Sequence, residues 1–150
     1  MNTRENVINT CAYFFEVLIK KFLELEKAIH KQSGLLSLFK KINYMDRANA
    51  FNGLLERAIE AKNELPSSDS EKNDYELYTL LIKLTECLAI YINMVKAQIE
   101  VNTNLNLKAN GEQYNWNEYS KCLQHFEMLR SGLEAELPKL QSLYVATLGV

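Results

Sequence analysis

Between Ile8 and Ile29 the apolar residues Ile8, Cys11, Phe15, Leu18, Phe22, Leu25 and Ile29 recur in unbroken steps of three and four. That rhythm makes one side of an α-helix apolar, whereas a half-buried strand would need a period of two. Ala12, Phe14 and Ile19 widen the stripe beyond the seam of a two-stranded coil, so this helix is expected to face two neighbours inside a bundle. The rest of the chain permits the same solution. Only five glycines and two prolines occur in 150 residues, leaving few forced breaks and favouring long helices over a sandwich or barrel of short strands.

Ser33-Gly34 interrupts the first stripe, and Leu35 to Ile42 reads as a short continuation or a separate helical turn. Asp46 can cap a second helix carrying Phe51, Leu54, Ala58, Ala61 and Leu65 on one face, which must stop near Pro66. Pro66-Ser67-Ser68-Asp69-Ser70 is the clearest turn, and Ser68 with Glu71 fits a capping box that opens a third helix. Leu77, Leu80, Leu81, Leu84, Leu88, Tyr91, Ile92, Val95 and Ile99 make that helix the most apolar, hence the one expected deepest in the core. Lys83, Glu86 and Asn93 interrupt it, and its apolar run reads as too short for a membrane span. From Val101 to Asn117 asparagines dissolve the pattern into an expected irregular connection with a turn at Asn110-Gly111. A fourth helix, capped by Asn115 or Asn117, carries Tyr119, Leu123, Phe126, Leu133, Leu137, Leu140 and Tyr144. Pro138 lies inside it and predicts a kink or break. The expectation is an all-α, single domain over 1–150: an antiparallel up-down four-helix bundle.

Composition narrows the function classes. With 47% hydrophobic and 24% charged residues the chain matches globular averages and should fold unaided. A net charge of -2 gives none of the basic footprint that phosphate backbones require, so no nucleic acid is expected as a partner. Three cysteines are an odd number for a disulfide framework, so reduced thiols are expected. The N-terminal residues show no basic region leading into an apolar stretch, and the protein reads as cytoplasmic.

Candidate chemistry is sparse. Neither a Gly-x-Ser-x-Gly elbow, a glycine-rich phosphate loop nor His-Glu-x-x-His is present. Glu26 and His30 stand at i, i+4 on the first helix, while Cys122 and His125 stand at i, i+3 on the fourth. In an up-down bundle these two pairs share one end and could form a zinc-like set. The same Cys122–His125 pair is the one local candidate for a thiol nucleophile with a base.

The stretch His30 to Phe39 resembles the motif of histidine phosphotransfer domains, which are also helical bundles. His30 and Gly34 match the spacing of the phosphorylated histidine and the small residue that admits a partner. Ser33 stands where that family has lysine, Gln32 replaces an aliphatic residue, and Lys40 replaces a glycine. The resemblance covers about ten residues and implies a phosphoryl acceptor at His30.

A third possibility is recognition by surface. Several aromatics fall off the stripes: Tyr13, Phe14, Tyr44, Tyr75, Tyr78 and Tyr114. Tyr114, Trp116 and Tyr119 cluster where the asparagine-rich connection meets the fourth helix, and such residues supply much contact area at small entropic cost. Their other role would be to staple the connection onto the bundle. The expectation drawn is a non-enzymatic module that binds another protein or a second copy of itself, as a homodimer for instance. A small metal-binding or phosphotransfer-like site at the His30/His125 end is the alternative. Another is an apolar small ligand held between the wide stripes. No cofactor is called for by any motif.

Overall fold

The computed structural model describes residues 2–32, 42–68 and 73–149. Among these residues there are four helices and no strand, and the contacts between helices are those of a helical bundle. The break expected at Ser33-Gly34 and the segment from Leu35 to Lys41 lie outside the described residues, as does Glu71 of the expected capping box.

The first helix, α1, runs continuously through Thr3–Tyr13, a π-helical segment Phe14–Ile19, and Lys20–Gln32. Asn2 caps it, its side chain accepting the Glu5 N–H at 2.8 Å. A π-segment takes more residues per turn than an α-helix and so rotates the apolar stripe. The consequence is visible in the burial. Val7, Cys11, Phe14, Leu18 and Phe22 form the centre, while Phe15, Leu25 and Ile29 flank it half-buried. A run of three- and four-residue steps is compatible with either register, which is why Phe14 reads as a flank in the sequence and is fully buried in the fold. Buried Tyr91 donates its hydroxyl to the Leu18 carbonyl inside this segment at 2.8 Å, supplying a partner for a backbone group in the dry interior.

Helix α2, Tyr44–Glu64, buries Ala48, Phe51, Leu54, Ala58 and Ala61. Its cap is Asn43, whose side chain accepts the Asp46 N–H at 3.0 Å. Asp46, expected as the cap, therefore sits in the first turn, where a carboxylate favours the positive end of the helix dipole. The helix ends at Leu65, in extended backbone ahead of Pro66, as the restriction on a residue before proline demands.

Helix α3, Tyr75–Ala109, starts later than the Ser68–Glu71 signature suggests. Asp74 caps it, accepting the Leu77 N–H at 3.2 Å. As expected it is the core element, with Leu80, Leu81, Leu84, Leu88 and Tyr91 fully buried, each leucine contributing about 1.5–3 kcal/mol by leaving water. By length and composition it is also apolar enough to cross a membrane, where the sequence run reads as too short; 44% of that window is buried inside the bundle.

The irregular stretch expected from Val101 is corrected: helix continues to Ala109. Asn102 and Asn104 return their side-chain amides to the carbonyls of Gln98 and Glu100, and Thr103 bonds Ile99. Their side chains thus bond within the helix instead of unwinding it. Gly111, at φ +70°, ends the helix in a left-handed turn. The Glu112 N–H reaches the Leu107 carbonyl and the Gly111 N–H the Lys108 carbonyl, the two bonds of a Schellman motif.

Helix α4, Trp116–Leu148, is capped by Asn115, which accepts the N–H groups of Asn117 and Glu118. The break considered at Pro138 does not occur, since the helix is continuous through it. Buried Leu133 and Leu140 anchor the chain on both sides of the proline, and Glu136 is tied to Lys83 of α3 at 2.8 Å. Both halves are thereby held on one face despite the missing backbone donor.

One hydrophobic cluster draws on all four helices. Phe22 lies at its centre, with ring centroids of Phe51, Tyr91 and Phe126 at 5.5, 6.0 and 6.2 Å, one from each other helix. Along α3 and α4 the paired residues run in opposite numerical order, Lys83 with Glu136 and Glu100 with Cys122. The same holds for α1 and α2, where Asn6 meets Glu64 and Phe22 meets Phe51.

Candidate functional site

The four residues considered for a metal are carried by α1 and α4. Glu26 is buried and bonds the Arg130 guanidinium on α4. Burial pushes its carboxyl above the ordinary range, and Arg130 and His30, one turn on, oppose the shift without cancelling it. Arg130 behaves differently. Burial acts to lower it, but bonds to Glu134 and Glu26 prevail and hold the guanidinium up. The contrast follows depth: the Glu26 side chain is 10% exposed and that of Arg130 34%.

Cys122 lies eight residues before Arg130, a separation of about 12 Å along α4. Its thiol donates to Glu100 at 3.4 Å and receives the Asn104 amide at 3.8 Å. Burial, then the bond to Glu100, raise the thiol above its usual range, the opposite of the adjustment a nucleophile or thiolate ligand needs. His125 is exposed one turn further on. Among the described residues no group of three or more His, Cys, Asp and Glu is placed to hold a metal ion. His30 is described, but the segment that carries most of the phosphotransfer resemblance, residues 33–41, is not.

The three aromatics expected to form a contact surface do come together. Tyr119 stands between the other two, its ring centroid 5.6 Å from Trp116 and 6.1 Å from Tyr114. The geometry follows from local structure. Asn115 caps α4, so Trp116 occupies the first helical position and Tyr119 the same face one turn later. Tyr114 stands just ahead of the cap. Trp116 remains 63% exposed, while Tyr114 and Tyr119 are half-buried.

Two cations and a fourth ring extend this corner. The Lys108 ammonium lies 5.5 Å from the centre of the Tyr114 ring, and the Arg47 guanidinium 5.4 Å over Tyr44, both at cation–π distance. Burial raises the Tyr119 phenol above its usual range, and Tyr114 and Tyr44 add to the shift. A surface cleft of about 290 Å³, lined by Ile42, Asn43, Asn106, Ala109 and Asn110, opens between the start of α2 and the end of α3. Arg47 and Lys108 carry no signal in the sequence, because their rings lie on other turns or other helices. The buried hydroxyl of Tyr114 has no hydrogen-bond partner among the described residues.

Phe14, Phe51 and Tyr91 are fully buried among packed leucines. The clefts along α1 and α2, about 320 Å³ each, are open and lined by charged residues including Arg57, Glu60, Lys21 and Glu24. No family model, no curated protein and no solved structure matches this chain.

Proposed function

We propose that this chain is a non-enzymatic interaction module that docks another protein at the corner formed by Trp116, Tyr119, Tyr44 and Arg47. The antiparallel up-down closure that the paired residue numbers fit would bring the starts of α2 and α4 and the end of α3 to one end of the bundle. In this reading the protein works in the cytoplasm, uses no cofactor, binds no nucleic acid and does not span a membrane.

The observation that carries the proposal is the exposure of Trp116, at 63%, beside a tyrosine ring at 5.6 Å. Tryptophan, tyrosine and arginine are the residues that dominate binding energy where proteins meet. A staple would bury its indole against the bundle, whereas Trp116 leaves most of its ring in water. The raised thiol of Cys122 and the engagement of Glu26 by Arg130 lend the competing site at the histidine end no comparable support.

The test is cross-linking of the intact protein in its cells of origin, followed by the variant Trp116→Ala/Tyr119→Ala. A defined partner should be captured by the wild type and reduced at least about tenfold in the variant, the loss of one or two interface anchors, with helical circular dichroism unchanged. A partner retained by that variant but lost on Met128→Ser, a second exposed apolar position on α4, would place the docking face elsewhere.

A further inference from the structure

Helix α1 buries more than a regular helix can align on one face. Val7, Cys11, Phe14, Leu18, Phe22 and Glu26 are its buried residues, and they advance in steps of four, three, four, four and four. Those five turns use one residue more than the roughly 18 that an α-helix takes at about 3.6 per turn. At about 100° per residue, Phe14 and Glu26 would stand about 120° apart on an unbroken helix, too far for one buried face. The wider turn at Phe14–Ile19 absorbs the surplus residue and brings them to about 20°.

Phe15 and Leu25 show the other side of the same rotation, since they are sent to opposite flanks. The Phe15 ring lies 6.4 Å from Tyr144 on α4, while Leu25 borders a cleft with Ala50, Gly53 and Leu54 of α2. On an unbroken helix they would stand about 80° apart, on either side of the stripe that passes through Cys11, Leu18, Phe22 and Ile29. The chain thus carries two apolar faces that share Cys11, Leu18 and Phe22. One takes Phe14 and Glu26 inward; the other takes Phe15, Leu25 and Ile29.

The first face is the one with a charge in it. Glu26 is 8% exposed and bonds Arg130 of α4. A buried carboxylate that loses its cation is left uncompensated, whereas Leu25, one position earlier, can be buried without any partner. Of the two charges Arg130 is the accessible one, its side chain 34% exposed against 10% for Glu26, and Glu134 already shares it. We propose that α1 is a two-register helix, held in its π register by the Glu26–Arg130 pair. Withdrawal of Arg130 lets the π turn relax into an unbroken α-helix that turns Glu26 to water and Phe15 and Leu25 toward the core. Neither half needs to unfold, because the two share a relative rotation of about 100°. Packed faces of this kind exchange as two discrete arrangements, with no continuum between them.

The registers differ in the acceptor of each backbone amide, five residues back in the π turn and four in an α-helix. Scalar couplings across hydrogen bonds read that acceptor directly by nuclear magnetic resonance on the full chain. The wild type should show the five-residue couplings within Phe14–Ile19. In Arg130→Met, which keeps an apolar stem and removes the charge, four-residue couplings should replace them. The Leu25 methyls should lose, and the Glu26 side chain gain, relaxation enhancement from a soluble gadolinium chelate. Adding Glu26→Leu to that variant removes the buried charge and should restore the five-residue couplings. Unchanged couplings in Arg130→Met, a Glu26 that stays inside and takes up a proton, loss of helix in α1, or no restoration by Glu26→Leu overturns the two-register proposal. Deletion of the exposed Glu16 tests the residue count separately. It should give a folded protein whose α1 is regular and whose Glu26 still meets Arg130; an unfolded chain or a broken pair contradicts the surplus residue.

Discussion

Tyr91 commits its hydroxyl to the Leu18 carbonyl, while its ring packs edge-on against Phe14 at 5.6 Å. Burial raises its phenol well above the ordinary range, so it remains a neutral donor at physiological pH. Tyr91→Phe keeps the ring and strands the carbonyl, which should cost about 1–3 kcal/mol as a lower urea midpoint with the slope unchanged. A midpoint equal to wild type would mean that the π-segment satisfies its own carbonyl. Periodicity marks Tyr91 as core but cannot show the bond, because its partner is a backbone atom 73 residues away. The cysteines follow a similar logic. Cys11 and Cys87 are free and buried, and burial pushes their thiols up to about 12 and about 11. These are the reduced thiols expected from an odd count. Cys122, which the sequence offers as a ligand or nucleophile, is instead held by Glu100 and Asn104, the second on a stretch that the sequence reads as irregular.

At the scale of elements, the apolar stripes were the most legible feature and the helix ends the least. The faces of α2 and α3 bury nearly the residues that periodicity selects, because the repeat follows directly from which side must leave water; on α4 Phe126, Leu133 and Leu140 are buried and the rest of the stripe is half-buried. Caps depend on single polar side chains, and Asn43 and Asp74 compete in the sequence with equally suitable neighbours at Asp46 and Ser68. The asparagines of α3 mislead for a related reason: their tendency to leave the helix is overcome when packing against α4 holds Val101 and Asn102 buried.

Between α1 and α4 the chief polar tie is Glu26 with Arg130, and its pH dependence has a definite sign. Burial holds the Glu26 carboxyl above its ordinary 4.5 in the folded protein. From the unfolded value up to the raised folded one, the folded state carries more protons. This group's contribution is therefore greatest at low pH and declines as pH rises through that window. Urea midpoints measured across about pH 4 to 7 should fall less steeply in Glu26→Gln than in wild type. A wild type that gains on the variant with rising pH would show that the attraction of Arg130 outweighs burial.

For the whole molecule, four helices share one core centred on Phe22, and the side chains best placed for recognition stand at one corner of it. The aromatic trio at Tyr114, Trp116 and Tyr119 is legible because its members are neighbours in sequence around one cap. Tyr44, Arg47 and Lys108 join only through the packing of α2 and α3, which no local pattern encodes. The account therefore turns on whether this corner is open to solvent in the complete protein. Acrylamide quenching of Trp116 fluorescence measures that directly. The account predicts a long-wavelength emission quenched nearly as readily in the folded chain as in urea; a blue-shifted emission that becomes quenchable only on unfolding would contradict it.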